Sequence, residues 1–337
     1  MSFPHRIAQT FERCQGEGRA ALITYVMGGD PNPMSSQLMA MACVEGGADL
    51  LEIGIPFSDP IADGPTIQRA SERALAAGTT VADCFAVAHT VRKKCETPIA
   101  LMGYLNPVLA YGQAEFLRVC PENGVDAVIL PDLPPEEAED FCAQARRYGV
   151  GTVFLLAPTS TPARWEAVFR RATAFVYFVS VTGVTGARTE LPPELPDQLD
   201  RVRSQSPVPV VVGFGISNAR QAAQVARHAN GIVVGSAIVS EVASRGTLRE
   251  RVAQVRKTVQ SLRKGLKGKS VQPELPALSL SKGSRGPPPL LRPPASAPPA
   301  LSRRRFLEPA ASGTRIARWK EIDVHPIGPG RGEGGPR

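Results

Sequence analysis

Residues 49–77 read DLLEI, GIPFSDPIADGP and TIQRASERALAA, which are a short apolar segment, a long segment rich in Gly, Pro and Asp, and an Ala-rich amphipathic segment. The first predicts a strand over 49–53, because short apolar runs bounded by turn residues are typical of strands. The last predicts a helix over 66–77, since its apolar residues recur at helical spacing. The stretch is therefore one strand, loop and helix unit.

The same unit recurs along the chain. Predicted strands cover residues 21–27, 49–53, 98–102, 126–130, 151–156, 175–179, 208–212 and 231–234. Predicted helices cover 34–45, 66–77, 81–94, 113–121, 135–148, 162–171, 193–204, 218–227 and most of 237–263. The strands are continuous apolar runs, as parallel strands buried on both faces require. Eight units in about 250 residues favour a (β/α)8 TIM barrel. An open, doubly wound sheet is the alternative, and the lack of a G-x-G-x-x-G after the first strand weakens it.

Composition divides the 337-residue chain into two parts. Residues 1–263 hold 25 Lys and Arg against 26 Asp and Glu, whereas residues 264–337 hold 14 against 5, so the net charge of +8 arises in the second part. We expect residues 1–263 to form the catalytic barrel and 264–337 to be a disordered, basic, Pro- and Arg-rich tail. Such a tail is either a solvated appendage or an arm that binds nucleic acid or a partner through residues 303–305, and the body itself gives no indication of nucleic-acid binding.

Other classes of protein are disfavoured. The six Cys include no C-x-x-C pair, residues 1–19 lack the apolar segment of a signal peptide, and no apolar run is long enough for a transmembrane helix. The four His are scattered, with no spacing typical of a metal site. We therefore expect reduced thiols, a cytoplasmic location, no membrane and no metal.

Carboxylates cluster after the second strand. In a TIM barrel the active site lies at the carboxyl ends of the strands. Glu52 lies inside an apolar run there, so it is either a satisfied ion pair or a general acid–base group tuned by burial. The loop that follows carries Asp59 and Asp63. Asp63 is either the N-cap of the next helix or a catalytic group, and the pattern leaves this choice open.

Glycines cluster after the last three strands. They occur in 183–186, at Gly213 and Gly215, and at Gly235, which Ser236 follows. Glycines at these ends let backbone N–H groups approach a phosphate near a helix N-terminus. The alternative is that they only form tight turns. The clusters predict a phosphorylated ligand.

Residues 51–68, LEIGIPFSDPIADGPTIQ, resemble the tryptophan synthase α subunit family. The resemblance continues in the same order through residues 29–31, 102–107, 130–134, 180, 183–186, 213–216 and 235–239, and it covers roughly residues 3–263. The tail has no counterpart in it. The resemblance implies a barrel lyase that cleaves indole-3-glycerol phosphate to indole and glyceraldehyde 3-phosphate.

The resemblance also implies roles for individual residues. Glu52 and Asp63 match the catalytic pair. Matching substrate-binding positions are Tyr25, Met102, Ile129, Tyr177, Thr185, Gly186, Gly213, Phe214, Gly215, Gly235 and Ser236. Of these, Thr185 belongs to a loop expected to close over the site, and family members often have Phe and Leu at positions 25 and 102.

The resemblance implies no cofactor in this chain and a β subunit partner that holds pyridoxal phosphate, in an α2β2 heterotetramer that joins indole to serine. The contact surface matches the Asp63 loop and the segment around Asn106 and Pro107. Two other functions stay open. One is a barrel isomerase or lyase acting on another small phosphorylated metabolite, and the other is a catalytically idle barrel that binds a phosphorylated ligand and activates a partner.

Overall fold

A computed structural model describes residues 5–179, 193–213, 216 and 218–266. The strands are β1 (Ala21–Met27), β2 (Leu50–Gly54), β3 (Ile99–Met102), β4 (Ala127–Ile129), β5 (Gly151–Leu156), β6 (Phe175–Val179), β7 (Val210–Gly213) and β8 (Gly231–Val234). All pairings between neighbouring strands are parallel, and β8 pairs back with β1 to close the barrel. The predicted TIM barrel is confirmed, and the open doubly wound sheet is excluded.

The helices surround this barrel. They are α1 (His5–Gly16), α2 (Pro33–Gly46), α3 (Pro65–Ala76), α4 (Val81–Arg92), α5 (Leu105–Tyr111), α6 (Gln113–Glu122), α7 (Glu139–Tyr148), α8 (Pro162–Arg171), α9 (Leu195–Gln205), α10 (Ala219–Val225), α11 (Ser236–Val242) and α12 (Leu248–Gly265). Several begin at side-chain caps: the carboxamide oxygen of Asn32 accepts from the Ser35 N–H, and Thr80 and Thr247 each form a capping box. These caps satisfy N–H groups that a first helical turn otherwise leaves unpaired.

Side chains alternate between two separate apolar clusters. Ile23, Tyr25 and Met27 of β1 point into the barrel, whereas Leu22 and Val26 pack outward against the helices. The register places Tyr25 beside Glu52, and Glu52 beside Ala100. Because successive residues of a strand face opposite sides, Glu52 shares the interior face with Leu50, which belongs to the inner cluster.

Helix α1 was not predicted from the sequence. Ile7, Phe11 and Cys14 are buried at helical spacing and belong to the interior cluster. The Phe11 ring meets Phe175 edge-on, with ring centroids 6.1 Å apart. Helix α1 therefore covers the amino-terminal end of the barrel. It was not predicted because its many polar residues obscured the short apolar stripe that these three residues form.

Other departures have local causes. Helix α5 was also missed, and the Asp132 carboxylate accepts from its Leu105 N–H at 3.0 Å. The helix predicted from 135 begins at Glu139, after a turn rich in Pro. The helical segment predicted over 237–263 is two helices, separated by a break that contains Gly246 at a φ of 127°. Such a φ favours glycine.

The predicted domain boundary at residue 263 falls inside α12, which continues to Gly265, and Leu266 is buried against the outer cluster. The predicted disordered tail lies outside the described residues, apart from its first three. Its disorder therefore stays a prediction.

Candidate active site

Glu52 lies in the middle of β2 and faces the barrel interior. Its side chain is 1% exposed, and neither carboxylate oxygen has a hydrogen-bond partner among the described residues. Burial, followed by the negative charge of Asp63, raises the pKa of Glu52 to about 8. No ion pair formed by the described residues includes it, which favours the acid–base interpretation over the ion pair. Glu52 is a protonated acid at neutral pH, placed where it can give up and regain a proton.

Asp63 lies in the loop between β2 and α3. Burial raises the pKa of Asp63 to about 6, although a hydrogen bond with the Tyr104 side chain acts in the opposite direction. The N-cap of α3 is Gly64, with no side-chain cap, so the cap hypothesis for Asp63 is wrong. At neutral pH, Asp63 is thus mainly ionised beside a neutral Glu52.

Several contacts fix the loop that carries Asp63. The Ala62 N–H donates to the Tyr104 hydroxyl at 3.0 Å, and the Gln68 side-chain amide donates to the Asp63 carbonyl oxygen at 2.9 Å. The Phe57 ring packs on Tyr104, with centroids 5.2 Å apart. These contacts hold the loop in place, and Asp63 is close enough to Glu52 to affect its pKa.

Two tyrosines flank Glu52 inside the barrel. Burial, then the charges of Asp63 and Glu52, raises the pKa of Tyr25 well above its usual value, and burial, then Glu52 and Asp63, does the same for Tyr177. Both are therefore neutral phenols. A Cβ at Gly54 would lie 2.0 Å from the Tyr25 hydroxyl, and one at Gly213 would lie 2.3 Å from the Tyr177 hydroxyl. These glycines leave room for the two rings.

Met102 and Ile129 form an apolar wall beside the acids. They are register partners at the carboxyl ends of β3 and β4, and both belong to the interior cluster. Met102 also pairs with Gly54, two residues after Glu52. A flat apolar group could therefore lie between this wall and the tyrosines, with its polar atoms near the two carboxyl groups.

Two of the predicted phosphate-binding glycines, Gly213 and Gly235, lie across the barrel from this wall. Gly213 ends β7, while Gly235 follows β8 and caps α11, whose first residue is Ser236. Because β7 pairs with β8, these positions are close together at the carboxyl end. The other predicted residues of this site lie outside the described residues, and their roles stay predictions: Thr185, Gly186, Phe214 and Gly215.

Tyr104 is a functional residue that the sequence pattern did not predict. Its side chain is 3% exposed and contacts both Phe57 and the Asp63 loop. It occurs within a quoted stretch, residues 102–107, directly after a strand end. This position near a strand end could have marked Tyr104 as a functional residue. Its contact with a loop some forty residues earlier has no local signal, because that contact forms only when the barrel closes.

The described residues contain no cluster of three or more His, Cys, Asp and Glu that could hold a metal ion. Within the same residues, no single helix is long and apolar enough to cross a membrane, although α3 and α4 together, bent by 103°, pass by length and composition.

The model of the tryptophan synthase alpha chain family matches residues 11–267. The tryptophan synthase alpha chain of Geobacter sulfurreducens is 49% identical over 261 residues, which are 77% of this chain and 98% of that protein. That of Roseiflexus castenholzii is 47% identical over 259 residues, 77% of this chain and 99% of that protein.

Solved structures resemble the fold as well. A chain of Mycobacterium tuberculosis tryptophan synthase superposes with a TM-score of 0.72 at 37% identity, covering 79% of this chain and 99% of that one. The tryptophan synthase subunit alpha of Legionella pneumophila superposes with a TM-score of 0.69 at 37% identity, covering 77% and 97%. The shared region is the barrel that holds Glu52 and Asp63.

Proposed function

This chain belongs to the tryptophan synthase alpha chain family, and from that premise we propose that Glu52 and Asp63 are its acid–base pair. The family's function is the lyase reaction in tryptophan biosynthesis that converts indole-3-glycerol phosphate to indole and glyceraldehyde 3-phosphate, and it needs no cofactor in this chain. The observation that carries the assignment is the buried Glu52 carboxyl group, without a hydrogen-bond partner in the described structure and adjacent to Asp63.

Glu52 acts first as an acid. Indole leaves poorly as a C3 carbanion, so C3 is protonated before the C–C bond breaks. Glu52, with its pKa raised to about 8, holds the required proton at neutral pH. Protonation creates positive charge near the ring nitrogen, and the ionised Asp63 stabilises it by accepting a charge-assisted hydrogen bond from the ring N–H.

Glu52 then acts as a base. Its carboxylate takes the proton of the glyceryl hydroxyl next to the breaking bond, a C=O group forms, and the C–C bonding pair returns to the ring to give indole. The proton lost to C3 is replaced, so the site regains its starting state. A single carboxyl group can do both steps because neither oxygen is held by a protein donor in the described structure.

The remaining predicted residues bind the substrate. Tyr25, Met102, Ile129 and Tyr177 surround the indole ring, while Gly213, Gly235 and Ser236 lie where backbone N–H groups can bind the phosphate. Thr185, Gly186, Phe214 and Gly215 are proposed to complete this site on the resemblance alone.

The partner is a tryptophan synthase β subunit, which receives the indole and uses pyridoxal phosphate to join it to serine in an α2β2 heterotetramer. Structures of the Mycobacterium tuberculosis enzyme include an aminoacrylate-bound form. Two exposed apolar side chains support a contact surface here, since Ile61 of the Asp63 loop is 85% exposed and Leu109 of α5 is 53% exposed. They lie in the two segments that the resemblance assigns to the contact surface.

The proposed location is the cytoplasm. All six Cys are free thiols, and five of them are buried. Burial raises the pKa of Cys43 and of Cys84 to about 12, so these thiols stay protonated and unreactive. Free thiols in this number are typical of a reducing compartment.

The test is indole release from indole-3-glycerol phosphate by the purified chain, with and without a β subunit. The parent chain should release indole, and Asp63→Asn should lower kcat about 10²- to 10³-fold, as loss of one charge-stabilising group does. Asp59→Asn is the matched control, because this carboxylate of the same loop is exposed. A parent chain that activates the β subunit but releases no indole would instead favour the idle, ligand-binding barrel.

A further inference from the structure

Ser71 joins α3 to the beginning of the loop that carries Asp63. Its side chain is 1% exposed. The hydroxyl accepts from the Phe57 N–H at 2.7 Å and donates to the Phe57 carbonyl oxygen at 2.8 Å. One side chain therefore satisfies both backbone groups of a loop residue that lies 14 positions earlier in the chain.

This contact turns the loop into a closed ring. At its far end the loop continues directly into α3 at Pro65, and at its near end Ser71 attaches Phe57 to the same helix. Both ends of the Asp63 loop are thus fixed to one rigid element. A catalytic side chain on a loop with this additional attachment keeps its position better than one on a loop held only where the chain leaves β2 and enters α3.

A second set of contacts leads from Phe57 to Asp63. The Phe57 ring packs on Tyr104, and the Tyr104 hydroxyl accepts from the Ala62 N–H, one residue before Asp63. The Asp63 N–H itself donates to the Pro60 carbonyl oxygen at 3.0 Å. Displacement of Phe57 would therefore move Tyr104 or break its contact, and either change would release the segment that holds Asp63.

We propose that Ser71 is a positioning residue, which keeps Asp63 at its catalytic place by fixing Phe57 to α3. It acts through the loop and does not touch the substrate. This inference rests on the proposed role of Asp63.

The experiment compares steady-state kinetics of indole-3-glycerol phosphate cleavage by the full chain and by Ser71→Ala. We expect kcat to fall about 10- to 100-fold, the effect of a misplaced catalytic group. KM should stay nearly unchanged, since the glycines at the ends of β7 and β8 do not depend on this loop. Inhibition by glyceraldehyde 3-phosphate should also be unchanged.

The pH profile separates positioning from a general loss of structure. The titratable groups around Asp63 are Glu52, Tyr25, Tyr104 and Tyr177. When the Asp63 loop loosens, the charge of Asp63 recedes and Glu52 gains solvent, so the pKa of Glu52 falls. The basic limb of the kcat profile should therefore move to lower pH in Ser71→Ala.

The matched control is Ser36→Ala. Ser36 is also a fully buried helical serine, and its hydroxyl donates to the Pro33 carbonyl oxygen within α2. It should lower stability without changing kcat or the pH profile. Equal kcat and an unmoved basic limb in Ser71→Ala would overturn the proposal, as would equal losses of kcat in the two serine variants.

If Ser71→Ala does not fold, Ser71→Cys replaces it, because a thiol is of similar size but is too weak a donor and acceptor to hold both backbone groups of Phe57. A Ser71→Cys enzyme with the parent kcat overturns the proposal. The outcomes for the two assignments differ. A parent chain without indole release contradicts the proposed function. A Ser71→Ala enzyme with the parent kcat, beside an Asp63→Asn variant with lowered kcat, contradicts only the role of Ser71.

Discussion

Asp49 lies just before β2 and Glu52 lies in the middle of that strand, three residues later, and their surroundings are opposite. Both are buried, at 3% and 1% exposure. Asp49 accepts two hydrogen bonds from Arg19, at 2.7 and 2.9 Å, and one from the Leu22 N–H at 2.9 Å. Glu52 has no such partner in the described structure. Burial would raise the pKa of both, but Arg19 and the Leu22 N–H hold the pKa of Asp49 below its usual value.

This difference extends to the two ends of the barrel. At the amino-terminal end, Asp126 makes the same kinds of contact, accepting from the Ile99 N–H at 2.8 Å and from Arg92 at 2.9 Å, although burial outweighs these partners and raises its pKa. Asn230 does so without charge, since its side-chain oxygen accepts from the Val210 N–H at 2.9 Å. Polar groups there join neighbouring strands, whereas at the carboxyl end Glu52 and Asp63 remain available for proton transfer. The comparison shows that partners, and not burial alone, decide whether a buried carboxylate serves stability or chemistry.

The largest expected effect is on turnover by Glu52→Gln. Glutamine keeps the size of the side chain but cannot donate and regain the proton, so kcat for indole release should fall at least about 10³-fold. The measurement is indole release from indole-3-glycerol phosphate at neutral pH. Asp49→Asn, which changes the residue just before the same strand, serves as the control and should keep the parent kcat below its unfolding temperature. Turnover by Glu52→Gln within about tenfold of the parent would contradict the role of Glu52.

The next largest effect is on stability, from Asp49→Asn. The substitution leaves the guanidinium of Arg19, which is 3% exposed, without its buried partner. The free energy of unfolding should fall by about 3–5 kcal/mol, as measured by urea denaturation. Glu17→Gln removes the exposed partner of the same arginine, and its cost should be below about 1 kcal/mol. Equal losses in the two variants would mean that burial of the pair is unimportant.

The smallest effect is the pH dependence of stability in Glu52→Gln. Because folding raises the pKa of Glu52 to about 8, the stability it contributes is fully present below its usual pKa and is lost as pH rises through about 8. Glutamine does not titrate, so Glu52→Gln does not have this loss. The unfolding free energy of Glu52→Gln minus that of the parent should therefore rise by roughly 2–4 kcal/mol from pH 5 to pH 9, at about 1.4 kcal/mol per pKa unit.

Urea denaturation of both proteins at the two pH values measures this gain. The pH dependence of stability due to Asp49 is opposite. Its pKa is lowered, so the stability that it contributes is present at higher pH and is lost as pH falls. A constant difference between Glu52→Gln and the parent across this range would show that Glu52 is not buried as an unpaired acid.

The sequence predicted much of the carboxyl end of the barrel. Four strands have the predicted bounds, and the others shift by one or two residues. Glu52 was placed at a strand end because an acidic residue inside an apolar run is conspicuous. The residue pattern left Asp63 undecided between a cap and a catalyst, and the family resemblance assigned it to the catalytic pair. The structure excludes the cap, because Gly64 is the N-cap of α3.

The amino-terminal end and the anchors of the Asp63 loop could not be predicted in this way. Arg19 and Asp49 lie 30 positions apart, and Ser71 and Phe57 lie 14 apart. No local pattern marks such pairs, because their contact depends on how strands and helices pack. Helix α1 was missed because its apolar stripe is narrow. The stripe is buried only because it packs against the amino-terminal end of the barrel.

By itself, the sequence determined the alternation of strands and helices and the order of the groups that carry the chemistry, since these follow from local periodicity and residue type. Only the tertiary structure decided the states of those groups. Closure of the barrel placed Glu52 away from water and beside Asp63, and it gave Asp49 an arginine. A pKa depends on the solvent and charges within a few ångströms, and those neighbours come from distant parts of the chain.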